Sequence, residues 1–397
     1  MIRIEDKTNC CGCGACYNIC PKKAIEMIDD EEGFKYPVIN QEKCIKCELC
    51  KKICPILNKK NSNKNIKNNN VIATYSKDEE NRKMSSSGGI FSELANYIVR
   101  EKRGIVFGAS FDSDFNVIHQ KSCDVKNLFI FKGSKYVQSD TKKTYEEAKK
   151  YLEEDRYVLY SGTPCQIAGF KSYLNKEYEK LYTCDIVCHG VPSPKVFNKY
   201  LQELEEKFNS KAKKINFKNK KYGWNNSSIQ IEFNNGEKYI SKLTEDNFMQ
   251  GFLKNIYLRP SCYNCKFSDL PRCADISLGD FWGVEGKYEE FKDDKGTSIV
   301  LLNNKKGVEL FDNIKENIYY RENCDLKYAI ENNPCICGHV SEPKNRNKFF
   351  KYLDELSFNK LIKKNVKKNS KFKILIYRIL KKIKYILENH FVYKKDR

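Results

Sequence analysis

The sequence is short of long apolar runs and of recognisable targeting or nucleic-acid motifs. It holds no stretch of 18 apolar residues, so we expect no transmembrane helix. Residues 1–7 are charged and contain no apolar segment, which argues against a secretory signal peptide. Neither a zinc-finger spacing nor an RNA-recognition signature is present. We therefore expect a cytoplasmic protein that does not bind nucleic acid.

Acidic residues are outnumbered by basic ones, 52 to 72, which gives a formal net charge of +20. The excess is partly local, since residues 360–387 contain eleven Lys or Arg and no acid. Apolar residues recur at helical spacing from Phe372 to Leu387, which predicts a basic amphipathic helix over 371–387. Such a helix either makes peripheral contact with an anionic membrane or docks on a protein surface, and both interpretations stay open.

Cysteine, in contrast, is abundant, with 19 residues that are mostly grouped. Two runs share the spacing C-x2-C-x2-C-x3-C-P, which is the two-cluster ferredoxin signature. In such ferredoxins the fourth cysteine of each run binds the other cluster. We therefore predict one 4Fe–4S cluster on Cys10, Cys13, Cys16 and Cys54. The second is predicted on Cys44, Cys47, Cys50 and Cys20.

Zinc sites and disulfides are the two other interpretations of these cysteines. A zinc site needs only four ligands, which usually come from two C-x-x-C pairs. Disulfides are typical of secreted chains, and grouped cysteines without a secretion signal favour metal or redox chemistry. Cys11 lies inside the first run without a place in its spacing, and we interpret it as a packed small hydrophobe.

The length of 397 residues suggests two or three domains. We divide the chain into a ferredoxin domain (1–58), a polar linker (59–70), a larger domain (71–345) and a basic helical tail (346–397). The fold class we predict is α+β / α/β, in which the ferredoxin domain is followed by an α/β domain with a mixed sheet and a C-terminal basic helix. Residues 214–243 are expected to form antiparallel strands with a turn at Asn234–Gly236, and Thr244 to cap a helix.

A small-residue loop, Ser85–Gly89, precedes a helical pattern that starts at Ile90. Free backbone N–H groups at a helix start can bind an anion such as phosphate. Serine and glycine also cap helices for structural reasons, so the loop by itself leaves both interpretations open.

Further cysteines follow two apolar strand patterns. Cys165 and Cys188 each come just after such a pattern, where open α/β sheets bind ligands. A C-x-x-C pair, Cys262 and Cys265, supplies two more thiolates. We predict a third 4Fe–4S cluster on these four residues, with Cys184 and Cys273 as alternative ligands; unrelated buried cysteines are the other interpretation. Three more cysteines lack ligand spacing and are interpreted as structural: Cys324, Cys335 and Cys337.

Several segments resemble the coenzyme F-420 hydrogenase/dehydrogenase beta-subunit family, in its version with a fused two-cluster ferredoxin. They are SSSGG, GSKYVQS, SGTPCQIAGF, CDIVCHGVPSP, and RPSCYNCKFSDL with ADISLGDFWG, and the resemblance covers about residues 1–345. The resemblance implies a flavin-binding α/β domain with FAD beside a 4Fe–4S cluster on Cys165, Cys188, Cys262 and Cys265. It implies FAD contacts from Ser86, Ser87, Gly88, Gly89, Ser134, Lys135, Tyr136, Gln138, Gly162 and Thr163.

We therefore expect an iron–sulfur flavoprotein oxidoreductase that passes electrons between a low-potential donor and FAD and transfers hydride to an unidentified small molecule. Its expected partner is a soluble ferredoxin-like electron carrier or a partner enzyme. His189 is a candidate proton donor, although such a histidine more often bonds to the backbone. The alternatives are a non-catalytic electron-transfer subunit, a membrane-surface partner of glycan-biosynthesis enzymes, and a deazaflavin (F-420) reductase subunit.

Overall fold

The computed structural model describes residues 2–58 and 71–366. Its N-terminal part is a small unit built around the two cysteine runs. Strands β1 (Ile25–Asp29) and β2 (Lys35–Ile39) pair antiparallel, with Ile25 opposite Ile39. Helices α1 (Ala15–Ile19) and α2 (Leu49–Lys52) each carry the third cysteine of one run. The predicted ferredoxin-type unit is confirmed.

Residues 71–366 form a larger α/β unit. Its strands are β3 (Val71–Ser76), β4 (Ile105–Phe111), β5 (Val117–Ser122), β6 (Val158–Gly162), β7 (Leu181–Ile186), β8 (Ala212–Asn219), β9 (Ser228–Phe233), β10 (Lys238–Lys242), β11 (Ile276–Asp280), β12 (Ser298–Leu302) and β13 (Ile318–Arg321). Its helices are α3 (Glu79–Met84), α4 (Ile90–Arg100), α5 (Thr144–Glu153), α6 (Pro164–Leu174), α7 (Pro194–Phe208), α8 (Asn247–Leu253), α9 (Lys305–Asp312), α10 (Leu326–Asn332), α11 (Arg346–Lys351) and α12 (Phe358–Asn365).

Eight strands form one sheet in the order β13-β3-β12-β11-β7-β6-β4-β5. The strands β4, β6, β7 and β11 are parallel, because helical crossovers such as α5 and α6 return the chain to the same end of the sheet. The flanking strands pair antiparallel. The predicted mixed sheet is confirmed, and it brings the carboxyl ends of β6 and β7 next to each other.

A second sheet, β10-β9-β8, is antiparallel throughout, as the sequence predicts for residues 214–243. Its turn has Gly236 at a φ of +88°, a conformation that glycine adopts without strain. The following helix differs from our expectation, because Asp246 and not Thr244 caps it. The Asp246 carboxylate accepts a hydrogen bond from the Met249 N–H at 2.8 Å.

The two faces of the large sheet have different neighbours. Side chains alternate along each strand, so Phe107 and Tyr160 face one side and Val106 and Leu159 the other. The first face forms a core that includes Cys13 and its neighbours from the N-terminal unit. The ferredoxin unit is therefore packed directly on the sheet domain.

Residues 346–366, which we placed in the tail, pack into the core of the α/β unit. Phe349, Phe358 and Leu361 are fully buried there, against helices α7 and α8. The packed unit therefore extends at least to residue 366. The predicted basic helix over 371–387 lies outside the described residues. In residues 2–58 and 71–366, no helix combines the length and apolar character needed to span a bilayer.

Candidate iron–sulfur and flavin sites

The two cysteine runs line two separate cavities. The first, with about 350 Å³ of space not filled by protein atoms, is lined by Cys10, Cys13, Cys16 and Cys54 together with apolar side chains such as Ile4. The second, of about 380 Å³, is lined by Cys20, Cys44, Cys47 and Cys50. The structure therefore groups the cysteines in the crossed pattern that the sequence predicts, with one residue exchanged between the runs.

These two cysteine groups differ in their exposure. Cys13, Cys16 and Cys54 are buried, whereas Cys47 is exposed. Near the outer group, Ile45 is 58% exposed. We call the first group the inner site and the second the outer site. The exposed cysteine of these two groups, Cys47, lies in the outer site.

The thiols of the inner site disfavour one another's ionisation. Burial, followed by the proximity of Cys10, Cys54 and Cys50, raises the pKa of Cys16. Four thiolates so close together need a positively charged centre to offset their repulsion, and the irons of a cluster provide it. Within the described residues, no three His, Cys, Asp or Glu side chains converge on a point that a single ion would occupy. A cubane spreads its four thiolates over four irons and requires no such convergence.

A third group forms at the edge of the large sheet. Cys165 lies in the first turn of α6, directly after β6, and Cys188 follows the adjacent parallel strand β7. The segment 258–265 packs against the loop after Cys188, where the Val191 N–H donates to Cys262 Sγ at 3.5 Å. The thiols of Cys165, Cys262 and Cys265 all act electrostatically on Cys188 and raise its pKa, after burial as the main cause. The four predicted ligands of the third cluster therefore lie together.

The alternative ligands lie differently. Cys184 is buried on the opposite face of the sheet, among the residues that pack against α4. Cys273 lies near Cys165, but its thiol donates to the Pro164 carbonyl at 3.3 Å. The geometry thus favours Cys165 and Cys188 over Cys184 and Cys273.

Cys11 occupies a position that the sequence did not reveal. It is buried between the inner site and the third group, and its thiol interacts with the thiols of both Cys13 and Cys165. Helix α6 approaches this point so closely that a Cβ on Gly169 would lie 2.8 Å from Cys13 Sγ. The inner site and the third group are therefore joined through directly packed sulfur atoms.

Arg259 lies at the same junction. It is fully buried, and its Nε donates to the Cys10 carbonyl at 2.8 Å. Gln138 completes the contact, because it accepts a hydrogen bond from Arg259 at 2.9 Å and donates to the Cys11 carbonyl at 3.2 Å. Gln138, one of the predicted FAD contacts, thus also faces the ferredoxin unit.

Arg272 organises the loop that carries Cys188. Its guanidinium pairs with the buried carboxylate of Asp185 at 3.1 Å and donates to the Ile186 carbonyl at 2.8 Å. These contacts fix the end of β7 two residues before Cys188. Sequence reasoning missed both Arg272 and Arg259, although each lies close to the C-x-x-C pair in the sequence.

His189 is held by its neighbours. Its Nε2 is 2.7 Å from Asn255 Oδ1, and its ring packs edge-on against Phe252. The Cys335 thiol lies 3.7 Å from its Nδ1. Burial lowers the pKa of His189, so the neutral ring is favoured. Its role as a proton donor stays a prediction.

The predicted FAD contacts fall into two neighbourhoods. In the first, Ser86 Oγ accepts hydrogen bonds from the backbone N–H of Ser134 at 2.6 Å and from its hydroxyl at 2.9 Å, so the loops SSSGG and GSKYVQS meet. Ser87 and Gly88 are bound to the start of β12 instead, through the Thr297 carbonyl and the Ser298 hydroxyl. Gly89 caps α4 at a φ of +88°.

The second neighbourhood surrounds Cys165. Thr163 is the N-cap of α6 and forms a capping box with Gln166. The Thr163 hydroxyl lies 3.2 Å from Cys165 Sγ. Gly162 packs next to the side chains of Gln166 and His119. Tyr136 belongs with the first neighbourhood, because its hydroxyl interacts with Ser134, and its ring packs against Phe217 and Phe252.

Two buried lysines near the predicted FAD contacts have lowered pKa values. Lys135 donates only to backbone carbonyls, those of Ile130 and Lys132, and burial lowers its pKa to about 7. Lys220 donates to the carbonyls of Arg82, Ser87 and Lys295, and its pKa is also lowered to about 7, by burial first and then by neighbouring cations. An anion beside Lys220, next to the Ser87 carbonyl, would favour the charged form of this lysine.

Close to Lys220, one oxygen of a buried carboxylate lacks a hydrogen-bond partner among the described residues. Asp280 pairs through Oδ2 with Lys218 at 2.6 Å, but its Oδ1 has no hydrogen-bond partner. The same holds for the indole N–H of Trp224, which stacks on Trp282 at 4.5 Å. Unpaired buried polar atoms beside stacked aromatic rings suit a planar heteroaromatic ligand.

Comparisons with known proteins identify two domain types in the chain. Residues 155–324 match the family model for the C terminus of the coenzyme F420 hydrogenase/dehydrogenase beta subunit, and residues 9–57 match the 4Fe-4S dicluster domain. Residues 155–324 are thus a domain of the coenzyme F420 hydrogenase/dehydrogenase beta-subunit type, fused to a ferredoxin-type 4Fe-4S domain at residues 9–57. These matches support 4Fe–4S clusters in the ferredoxin domain and iron–sulfur electron transfer.

Curated relatives match the ferredoxin domain. They are an uncharacterized polyferredoxin-like protein (46% identical over 55 residues) and an uncharacterized ferredoxin (42% over 52 residues), both of Methanocaldococcus jannaschii. The matches cover 12% and 13% of this chain, and they span 33% and 66% of the relatives. A chain of the F420-reducing NiFe hydrogenase complex from Methanosarcina barkeri is similar at a TM-score of 0.47 and 17% identity, over 72% of this chain and 92% of that chain.

Proposed function

We propose that this protein is an iron–sulfur flavoprotein oxidoreductase that carries electrons between a low-potential donor and FAD, with hydride transfer to a small-molecule substrate. The observation that carries the proposal is the packing of two cysteine groups against each other. The inner site contacts the third group through Cys13, Cys11 and Cys165. A ferredoxin domain that worked alone would not need the third cysteine group, from the α/β unit, packed against its inner site.

The proposed order of the electron route follows from burial. The outer site is the one near the surface, so it exchanges electrons with the soluble carrier. The inner site comes next, and the third cluster on Cys165, Cys188, Cys262 and Cys265 is the last before the flavin. The route serves electron flow in either direction, because cluster potentials span a wide range that the ligands do not fix.

FAD is proposed to lie between the third cluster and Lys220 at the SSSGG loop. Lys220 would neutralise its phosphates, and the Ser86 hydroxyl would donate to them. Thr163, next to Cys165, would face the isoalloxazine ring. A 4Fe–4S cluster passes one electron at a time whereas a hydride carries two, and bound FAD supplies the conversion.

The surface around the outer site indicates the kind of electron carrier. Lys22, Lys43, Lys46 and Lys52 are exposed there, beside the exposed Ile45. Basic residues around an apolar centre suit an acidic carrier, because the charges steer the encounter and the apolar contact holds the complex. We propose an acidic ferredoxin-like carrier as the partner.

The domain division is part of the same proposal. Residues 1–58 would act as the entry domain, 59–70 as the linker, and the segment from 71 as the oxidoreductase domain, with the basic tail attached to it.

The deciding experiment is an iron, sulfide and flavin assay on the full-length protein purified anaerobically. We expect about twelve irons and one FAD per chain, since each cubane holds four irons. Cys262→Ser should lower the iron content by about four. Cys184→Ser is the matched control, because that buried cysteine faces the opposite side of the sheet, and it should retain all the iron. About eight irons without flavin would contradict the proposal and leave an electron-transfer subunit.

An acceptor assay separates the remaining candidates. The holoprotein is reduced through a ferredoxin and mixed with a deazaflavin, and a sample without acceptor serves as the blank. Repeated reduction of the deazaflavin without any partner enzyme is expected of an oxidoreductase. Electron transfer that requires a partner enzyme would indicate the non-catalytic alternative.

A further inference from the structure

Four arginines of the described chain are almost fully buried: Arg82, Arg259, Arg272 and Arg346. Three of them have a carboxylate partner. Arg82 pairs with Asp293 at 2.6 Å, Arg272 with Asp185 at 3.1 Å and Arg346 with Glu32 at 2.5 Å. Burying an unpaired charge is costly, so these pairings are what electrostatics requires.

Arg259 is the exception among these four. Within the described residues no carboxylate lies within 4 Å of its guanidinium. Its bonds go to the carbonyls of Cys10 and Lys35, to Gln138 Oε1, and to Cys10 Sγ at 3.6 Å. The rings of Tyr36 and Phe34 cover it, with the Tyr36 centroid 4.3 Å away. The buried charge therefore has no counter-ion among these parts of the protein.

The surroundings of Arg259 show where its counter-charge would come from. Besides the contact with Cys10, the guanidinium acts electrostatically on the thiols of Cys165 and Cys262. Its own backbone carbonyl accepts from the Cys262 N–H at 2.9 Å. Arg259 thus stands between the inner site and the third group. A cluster held by four thiolates is negatively charged, and the charge grows by one on reduction.

We propose that Arg259 is a positioning residue that holds the Cys10–Gly12 loop against the third group and whose uncompensated charge raises the reduction potential of the inner cluster. The inference rests on the proposed function, since it takes the inner site to hold a 4Fe–4S cluster. A buried cation stabilises the reduced, more negative cluster more than the oxidised one. The loop geometry agrees, because a Cβ on Gly12 would lie 2.9 Å from the Arg259 guanidinium nitrogen.

The test is a redox titration of the full-length holoprotein, followed by electron paramagnetic resonance. Arg259→Gln should lower the reduction potential of the inner cluster. We expect the equilibrium constant for its one-electron reduction to fall about tenfold, which corresponds to about 59 mV. Arg259→Lys keeps the charge and should lower it less. The outer cluster should keep its potential in both variants. The matched control is the double variant E32Q/R346Q, which removes an interdomain ion pair without changing the net charge and should leave the potential unchanged.

Gln138→Glu provides an independent variant should Arg259→Gln lose its iron. It places a carboxylate beside the guanidinium and should lower the same potential without altering Arg259. The proposal is overturned if Arg259→Gln retains its iron and its cluster potentials equal those of the wild type. It is also overturned if Arg259→Lys lowers the inner-cluster potential as much as Arg259→Gln, or if Gln138→Glu leaves that potential unchanged. A protein with only eight irons would refute the third cluster, while the inner-cluster shift would still be measured in the same titration.

Discussion

Replacing Arg272 by methionine should destabilise the protein strongly. Its side chain is 1% exposed, and that of its partner Asp185 is 0% exposed. Nε lies 3.1 Å and 3.3 Å from the two carboxylate oxygens of Asp185. The change would leave Asp185 charged and unpaired in the core, where burial already raises its pKa. It would also remove the donor to the Ile186 carbonyl, next to the loop of Cys188.

The size of the effect follows from this burial. Removing one partner of a buried ion pair costs about 3–5 kcal/mol, whereas replacing both by apolar residues of similar shape is often neutral. We therefore expect Arg272→Met to lower the free energy of unfolding by about 4 kcal/mol, and the double variant D185L/R272M to recover most of it. The exposed pair Lys287–Asp325 is the control, and Lys287→Met should cost under about 1 kcal/mol.

The assay is urea denaturation under anaerobic conditions, followed by circular dichroism and by the iron content of the folded protein. Arg272→Met should also lose about four irons, because the Cys188 loop loses its anchor. A loss of stability below about 1 kcal/mol, or a double variant no more stable than the single one, would refute the reasoning.

Three further predictions concern other parts of the route. Gly169→Ala would place a Cβ 2.8 Å from Cys13 Sγ, so it should lower the free energy of unfolding in urea by about 1–3 kcal/mol. Ala168→Ser, at the neighbouring position, is the control, and an equal loss of stability in both variants would contradict the contact. Burial lowers the pKa of His119 to about 4, and its Nε2 donates to the Ser161 carbonyl at 3.0 Å, so the ring is neutral when folded. In the unfolded chain this histidine takes up a proton with a pKa of about 6.5, so the free energy of unfolding should fall by about 1.4 kcal/mol between pH 7.5 and pH 5.5. His119→Gln should remove this part of the pH dependence, and an unchanged pH dependence would argue against the buried neutral ring. Reversing two charges at the outer site, in K43E/K46E, should slow reduction by an acidic ferredoxin at low salt and not at high salt, as stopped-flow rates would show. The remote pair K150E/K176E should leave the rate unchanged, and equal slowing by both would exclude a local docking surface.

Part of the candidate site could be predicted from sequence because its determinants are local. The ligand loops at Cys10 and Cys44 are short, so residue spacing alone indicates which thiolates can reach one cluster. The strand and helix patterns before Cys165 and Cys188 likewise placed both cysteines at one sheet edge, since parallel strands end on the same side.

The remaining features depend on contacts between distant parts of the chain. Cys11 looks like a spare thiol in its run, and only the packing of α6 against the ferredoxin unit places it beside Cys165. Arg259 carries no spacing signal that distinguishes a buried cation from an exposed one. Gln138 was expected at a flavin, and the fold also brings it to the ferredoxin unit.

By itself, the sequence determined the ferredoxin unit, the mixed α/β sheet and the grouping of eight cysteines into two sites, because spacing and periodicity act over a few residues. Only the tertiary structure decided which site is inner and which is outer, that Cys262 and Cys265 meet Cys165 and Cys188, and that residues 346–366 belong to the packed core. Each of these depends on burial between segments far apart in the chain. Such contacts are set by the closing of the whole fold, and no local pattern records them.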